Sequence, residues 1–243
     1  MSKIIAITGA GAGLGRELAR RFVADGDTVI LLGRTLAKVE TLAAELGAPA
    51  MAVECDVASP DSVRSAFATI AERHPKIDVL INNAAIYEPF SVVDATDEQI
   101  LQPIAINLAG PVFCTRSAVP MMERGGHIIY VSSESVEEPF AMLSLYQSSK
   151  AGLERFSHFM ESELEAHGIR VTMIRAGQMM TDPKEWTSSP AAMQFYQQSM
   201  ARGLNLRERP ISQAESVPGI FRAVIDLPAD LHVATVTLHA RKS

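Results

Sequence analysis

Tyr146 and Lys150 stand four residues apart in "YQSSK", a spacing that places both on one face of a helix. A phenol held beside an ammonium is a candidate proton-transfer pair. A free tyrosine titrates near pH ~10, and a neighbouring cation favours the phenolate and lowers that value toward the working range. Such a pair also arises by chance on helix surfaces, so the rest of the chain has to decide. Ser133 lies upstream, directly after the apolar run "HIIYVS". From there its hydroxyl can hydrogen-bond a substrate oxygen and stabilise charge developing on it. Ser132 precedes it, and strand alternation turns that residue to the opposite face, a structural role. The chemistry these groups suit is proton delivery to a carbonyl oxygen as a hydride reaches its carbon. A hydrolase nucleophile is the rival use of Ser133. It lacks a convincing histidine base, and Gly-x-Ser-x-Gly is absent.

Seven apolar, mostly β-branched runs read as strands: 3–8, 28–33, 49–54, 77–82, 127–132, 169–174 and 231–238. Most are apolar on both faces, as strands buried in a parallel sheet must be. Amphipathic stretches lie between them. Leu14, Leu18 and Phe22 stripe one, Val63, Phe67 and Ile70 another, and Leu153, Phe156, Met160 and Leu164 the one that carries Tyr146 and Lys150. This alternation predicts an α/β fold: a doubly wound, Rossmann-like parallel sheet with helices on both faces, in a single domain over 1–243. The exception is 178–210, which is long for a connection and holds Met179, Met180, Trp186, Met193, Phe195, Tyr196 and Met200. It reads as a mobile apolar lid, and hence as a sign of a bulky or lipophilic substrate.

"TGAGAGLG" follows the first strand and opens a helix. Gly9, Gly11, Gly13 and Gly15 allow a tight turn and close backbone approach to a pyrophosphate, and Leu14 lies among them. The helix N-terminus adds free N–H groups and a positive dipole end.

The spacing Gly-x-x-x-Gly-x-Gly after "TG" resembles the short-chain dehydrogenase/reductase family of single-domain type. Further motifs carry the resemblance to about residue 181. Asp56 and Val57 in "CDV" match the pair that meets the adenine. Asn83 and Ala84 in "NNAA" match a cofactor-lining Asn-Asn-Ala-Gly, with Ala85 for the glycine. Asn107 in "INLAG" matches the family's helix asparagine, which implies a water that relays protons to Lys150. "RAGQMMT" resembles Pro-Gly-x-x-x-Thr with Ala176 for the proline, so Met179 and Thr181 would touch the nicotinamide and phosphate region. The resemblance implies Tyr146, Lys150, Ser133 and Asn107 as catalytic residues, with Tyr146 and Lys150 also meeting the nicotinamide ribose. It implies a homotetramer or homodimer, and Phe159, off the apolar stripe of its helix, fits burial on a subunit face.

The cofactor preference follows from the end of the second strand. An NAD site has an acid there to bond the ribose 2′-hydroxyl. Here Gly33 takes that position and Arg34 and Thr35 follow. No carboxylate repels a 2′-phosphate, and a guanidinium stands ready to bind one. Arg34 also falls near a helix start, where the dipole disfavours a cation unless an anion joins it. Arg16 is a second cation near the glycines. NADP(H) is expected over NAD(H).

The chain has 243 residues, a net charge of -6 and a sequence pI near 5.5. That leaves no electrostatic footprint for nucleic acid or anionic membrane. No apolar run reaches a membrane span, and the N-terminal run is too short for a signal core, which predicts a cytoplasmic protein. Cys55 and Cys114 sit far apart in sequence and read as free thiols. The histidines at 74, 127, 158, 167, 232 and 239 show no ligand spacing and read as surface or capping residues, so no metal is expected. Glu134, Glu137 and Glu138 read first as a solvated loop. The sharper alternative is a pocket mouth that disfavours anions. The reaction expected is hydride exchange between NADP(H) and a ketone, aldehyde or secondary alcohol. The alternative is a non-catalytic NADP(H)-binding or redox-sensing protein on the same fold.

Overall fold

The computed structural model describes residues 2–138, 140–182 and 185–241. Its strands are β1 (Ile4–Thr8), β2 (Thr28–Gly33), β3 (Ala50–Glu54), β4 (Val79–Asn82), β5 (His127–Ser133), β6 (Arg170–Ala176), the short β7 (Met179–Met180) and β8 (Ser212–Gln213), and β9 (Thr235–Thr237). Seven form one sheet in the order β3-β2-β1-β4-β5-β6-β9, with every pairing parallel. All seven expected runs are therefore strands. The last is shorter than expected and keeps only three paired residues at the sheet edge.

The helices are α1 (Gly13–Ala24), α2 (Leu36–Leu46), α3 (Pro60–Arg73), α4 (Asp97–Ile104), α5 (Gly110–Ala118), α6 (Ser144–Glu165), α7 (Pro190–Ala201) and α8 (Pro218–Ile225). Strand alternation splits the core in two. Ile5, Ile7, Val29 and Leu31 face α1, α2 and α8 through Leu18, Phe22, Val39 and Phe221. Ala6, Ile30, Leu32, Leu80 and Tyr130 face α3, α5 and α6 through Phe67, Ile70, Cys114, Leu153 and Met160. Both faces are dry, which is why the strands read as unbroken apolar runs rather than as alternating ones.

The strand order reverses between β1 and β4. In such sheets the crevice outside the carboxyl ends at that point receives the ligand. The glycine loop, Arg34, Asp56, Asn83, Ser133 and Met179 all stand at or just past strand carboxyl ends there.

Two expectations need correction here. His127 is not a surface residue but is 2% exposed. Its Nε2 lies 2.9 Å from Thr172 Oγ1, whose own hydroxyl donates to the Val233 carbonyl at 2.7 Å. Thr172 therefore takes the Nε2–H, and burial, with Arg170 nearby, holds the imidazole neutral with a pKa near 3. Cys55 and Cys114 are free and buried as expected, but the fold brings them together between the end of β3 and α5. The contact with Cys55, together with burial, pushes the Cys114 thiol well up. Among the described residues no cluster of His, Cys, Asp or Glu could hold a metal, and no helix is long and apolar enough to cross a membrane.

Candidate active site

Ser133 ends β5, and Tyr146 and Lys150 sit one turn apart on α6, which packs against that strand. All three line one cavity of about 520 Å³. The Ser133 hydroxyl lies close enough to the Tyr146 phenol to pull its pKa down, and it accepts the Ser135 N–H at 3.2 Å. The Lys150 ammonium is 2% exposed and donates to the Val131 carbonyl at 2.7 Å.

The expected tuning of the phenol by Lys150 does not hold. Burial dominates and pushes Tyr146 up to about 12; Ser133 pulls the other way and Tyr87, with its ring 5.6 Å away, adds a smaller rise. Burial also pulls Lys150 down to about 8, with Glu154 opposing. The phenol is therefore a firmly protonated donor at neutral pH.

Asn107 is fully buried in a π-turn, Ala105–Ala109, between α4 and α5. Pro111 has no N–H to give the carbonyl four residues back, and the ladder shifts to wider bonds such as Gly110 N–H to Ala105 O. The Asn107 amide clamps Ile86, accepting its N–H at 2.8 Å and donating to its carbonyl at 2.9 Å, and donates to Ser149 Oγ at 3.1 Å. Its side chain is thus committed to protein partners and does not line the cavity.

The glycine loop joins the same cavity. Gly9, Gly13 and Leu14 line it, as do Asp56, Val57, Asn83, Ala84, Met179 and Thr181. Gly15 is a correction: it is off the cavity wall, and a Cβ there would collide with the Gly9 carbonyl and stand 2.7 Å from Asn83 Nδ2. Its role is to let α1 approach the loop. Thr8, missed from the sequence, supplies the brace: its hydroxyl accepts the N–H groups of Asn83 and Ala84 at 3.0 Å each. Only the "TG" pairing hinted at it.

Gly11, Arg16 and Arg34 line an adjoining groove, together with Lys38, which sequence reasoning also missed. Arg34 and Lys38 flank the start of α2. That helix has no acid in its first turn and no side-chain cap from Thr35, which faces solvent off both cavities. Among the described residues neither cation has an ion-pair partner. At Gly33 a Cβ would stand 2.7 Å from Val39 Cγ1, so a larger residue there would have to displace the Val39 side chain. Arg16 pairs instead with Asp182 at 3.0 Å, whose other oxygen lies 3.4 Å from the Gly13 N–H.

Part of the cavity wall is apolar, formed by Ile86, Tyr87, Phe140, Leu143, Phe195 and Leu206. Of the aromatic and methionine side chains expected in the lid, only Met179 and Phe195 face it. Met180, Met193 and Met200 are exposed, Tyr196 lies under Arg207, and the Trp186 side chain lies outside the described residues. Phe159 is half exposed beneath Arg155 on α6. The solvated reading of the three glutamates fails for Glu134, which is 7% exposed; Glu137 pairs with Arg175 and Glu138 with Arg209. Ser132 donates to Glu154 at 2.7 Å, and the opposite-face expectation does not keep it off the cavity, which it lines beside Ser133.

The short chain dehydrogenase family profile matches residues 3–191. Galactitol 2-dehydrogenase of Agrobacterium fabrum is 32% identical over 220 residues, covering 89% of this chain and 83% of its own. Serine 3-dehydrogenase of Rhizobium radiobacter is 34% identical over 186 residues, 75% of this chain and 74% of its own. The closed form of serine dehydrogenase complexed with NADP+ superposes with a TM-score of 0.83 at 27% identity, covering 97% of this chain and 94% of that one.

Proposed function

Because the chain belongs to the short chain dehydrogenase family, we propose that it is an NADP(H)-dependent reductase of ketones or aldehydes, running in reverse on the matching secondary alcohols, with Tyr146 as the general acid/base. The observation that carries the reading is one cavity in which a protonated phenol, a serine hydroxyl and a buried ammonium meet a glycine loop and Arg34, with Lys38 in the adjoining groove.

The donor set suits a phosphorylated dinucleotide. Gly9 and Gly13 leave the α1 N-terminus open to a pyrophosphate, and Arg34 with Lys38 suit a 2′-phosphate. Asp56 and Val57 would flank the adenine, and Asn83, Ala84, Met179 and Thr181 the nicotinamide half. When bound, the nicotinamide supplies or accepts the hydride.

The chain's own groups manage the proton and the geometry. Ser133 donates to the substrate oxygen and holds it against Tyr146. Tyr146 delivers its proton to that oxygen in reduction. Its high proton affinity in the free chain suits the reductive direction. Lys150, anchored on Val131, fixes the ribose and supplies positive charge beside the phenol once the phenolate forms. Asn107 holds the Ile86 turn, and Tyr87 with it, beside Tyr146.

The apolar wall favours a lipophilic carbonyl compound over a polyol or an amino acid. Steady-state oxidation of NADPH against a panel of aryl and alkyl ketones, a ketose and an amino-acid ketone tests the reading. It predicts turnover of the apolar ketones with NADPH preferred to NADH. A protein that binds NADPH but turns over no carbonyl compound would overturn it.

A further inference from the structure

Glu134 follows Ser133 directly and is 7% exposed. A carboxylate taken so far out of water persists only when it is well partnered. This one is met by three donors from distant parts of the chain. Oε1 accepts the Gln178 N–H at 3.1 Å and Arg209 Nη2 at 3.0 Å, and Oε2 lies 3.1 Å from His239 Nδ1. Gln178 opens the stretch that runs through α7, and Arg209 closes it. One carboxylate therefore pins both ends of that stretch beside the catalytic strand end. Bringing the ends of so long a stretch together costs chain entropy, which charge-assisted bonds offset.

The contact continues from Arg209 to the cavity wall. Its guanidinium carbon lies 5.3 Å from the Phe140 ring centre, and Phe140 stacks on Phe195 of α7 at 6.3 Å and 21°. Both rings line the cavity. A second link, the β7–β8 pairing with Ser212 N–H on the Gln178 carbonyl at 3.1 Å, holds the same ends without touching the rings. The ion pair is thus the connection that reaches the apolar wall.

We propose that Glu134, acting through Arg209, is the positioning residue of the substrate end: it fixes the segment from Gln178 to Arg209 and so sets the Phe140–Phe195 wall relative to Ser133 and Tyr146. Its kinetic consequence rests on the reductase reading above; its structural consequence does not.

The test compares Glu134→Gln, Arg209→Met and the double variant with the parent. Glu134→Gln keeps size and one acceptor but removes the charge, and Arg209→Met keeps much of the packing. Each single change should raise the ketone KM about tenfold, leaving kcat within about threefold and the NADPH Kd unchanged. The double variant should be no worse than the poorer single, because both remove one interaction. Amide hydrogen exchange across α7 and Leu206 should quicken in all three. Additive losses, or a parallel rise in NADPH Kd, would overturn the proposal. So would parental exchange rates in the variants. Exchange is read without substrate, so a parent that reduces no ketone would fail the reductase reading and leave this proposal to be decided by exchange.

Discussion

The Lys150 ammonium donates to the main-chain carbonyl of Val131, two residues before Ser133, at 2.7 Å. This bond ties α6 to β5 at the point where the two elements contribute Tyr146 and Ser133. It also holds a cation almost wholly out of water, and burial lowers its pKa to about 8. Burying a cation in this way costs stability, and strongly shifted groups of this kind cluster at functional sites.

That cost is measurable. The pKa of Lys150 in the folded chain lies below its ordinary value of 10.5. The folded state therefore disfavours the proton, and the penalty is fully present below pH ~8 and fades as pH rises toward ~10.5. A shift of this size corresponds to about 3 kcal/mol, part of which the Val131 bond already offsets. Lys150→Met should unfold at higher urea, by about 1–2 kcal/mol at pH 7, with a smaller advantage at pH 10, while reduction is lost. Lower stability of the variant at both pH values would contradict this.

The pH profile follows from the same group. Glu154 raises the Lys150 pKa against burial, and it is held by Ser132 at 2.7 Å and by Arg175 Nε and Nη2 at 2.8 and 2.7 Å. The value of kcat/KM for NADPH reports groups in the free protein. It should fall as pH rises through about 8, where the ammonium is lost. Glu154→Gln removes the supporting charge, so the falling limb should move to lower pH. An unmoved limb would exclude Lys150 as the titrating group.

Under the proposed preference for NADP(H), cofactor choice rests on Arg34 and Lys38. A charge-assisted bond to phosphate is worth roughly 1.5–3 kcal/mol, so Arg34→Asp should lower kcat/KM for NADPH about ten- to a hundredfold. NADH should lose less or gain, because the new acid can bond a 2′-hydroxyl. Lys38→Ala should cost NADPH a smaller factor, roughly threefold to tenfold. Unchanged constants for both cofactors in Arg34→Asp would remove the assignment.

Asp182 places a carboxylate at the α1 N-terminus, 3.4 Å from the Gly13 N–H, where a diphosphate would bind. Its pair with Arg16 is partly exposed, so its loss costs little. Asp182→Asn should tighten NADP(H) binding about threefold to tenfold, more at low salt than at high. Weaker binding in a fluorescence titration would show that the carboxylate organises the loop and does not oppose the anion.

Features that depend on neighbours in sequence were readable. β2 spans Thr28–Gly33 as expected, because two-sided burial writes itself as an unbroken apolar run. The Tyr146–Lys150 spacing and the glycine loop were equally local. What was hidden depends on partners brought from afar. Glu134 sat in a run of acids that reads as solvated, and only donors 44, 75 and 105 residues away make it a buried hub. Cys55 and Cys114 meet across α5 and β3 for the same reason. The side chains of 178–210 divide between cavity and solvent, and α7 carries apolar residues on several sides, so no single stripe tells Phe195 from Met193.

The central claim is that Tyr146 transfers the proton, and replacing its hydroxyl tests this most directly. Tyr146→Phe removes one oxygen and leaves the ring against Tyr87. In single-turnover reduction of an aryl ketone, the account predicts a loss of at least about a hundredfold in rate, with NADPH Kd within about twofold of the parent. A variant that reduces the ketone at the parental rate would contradict it.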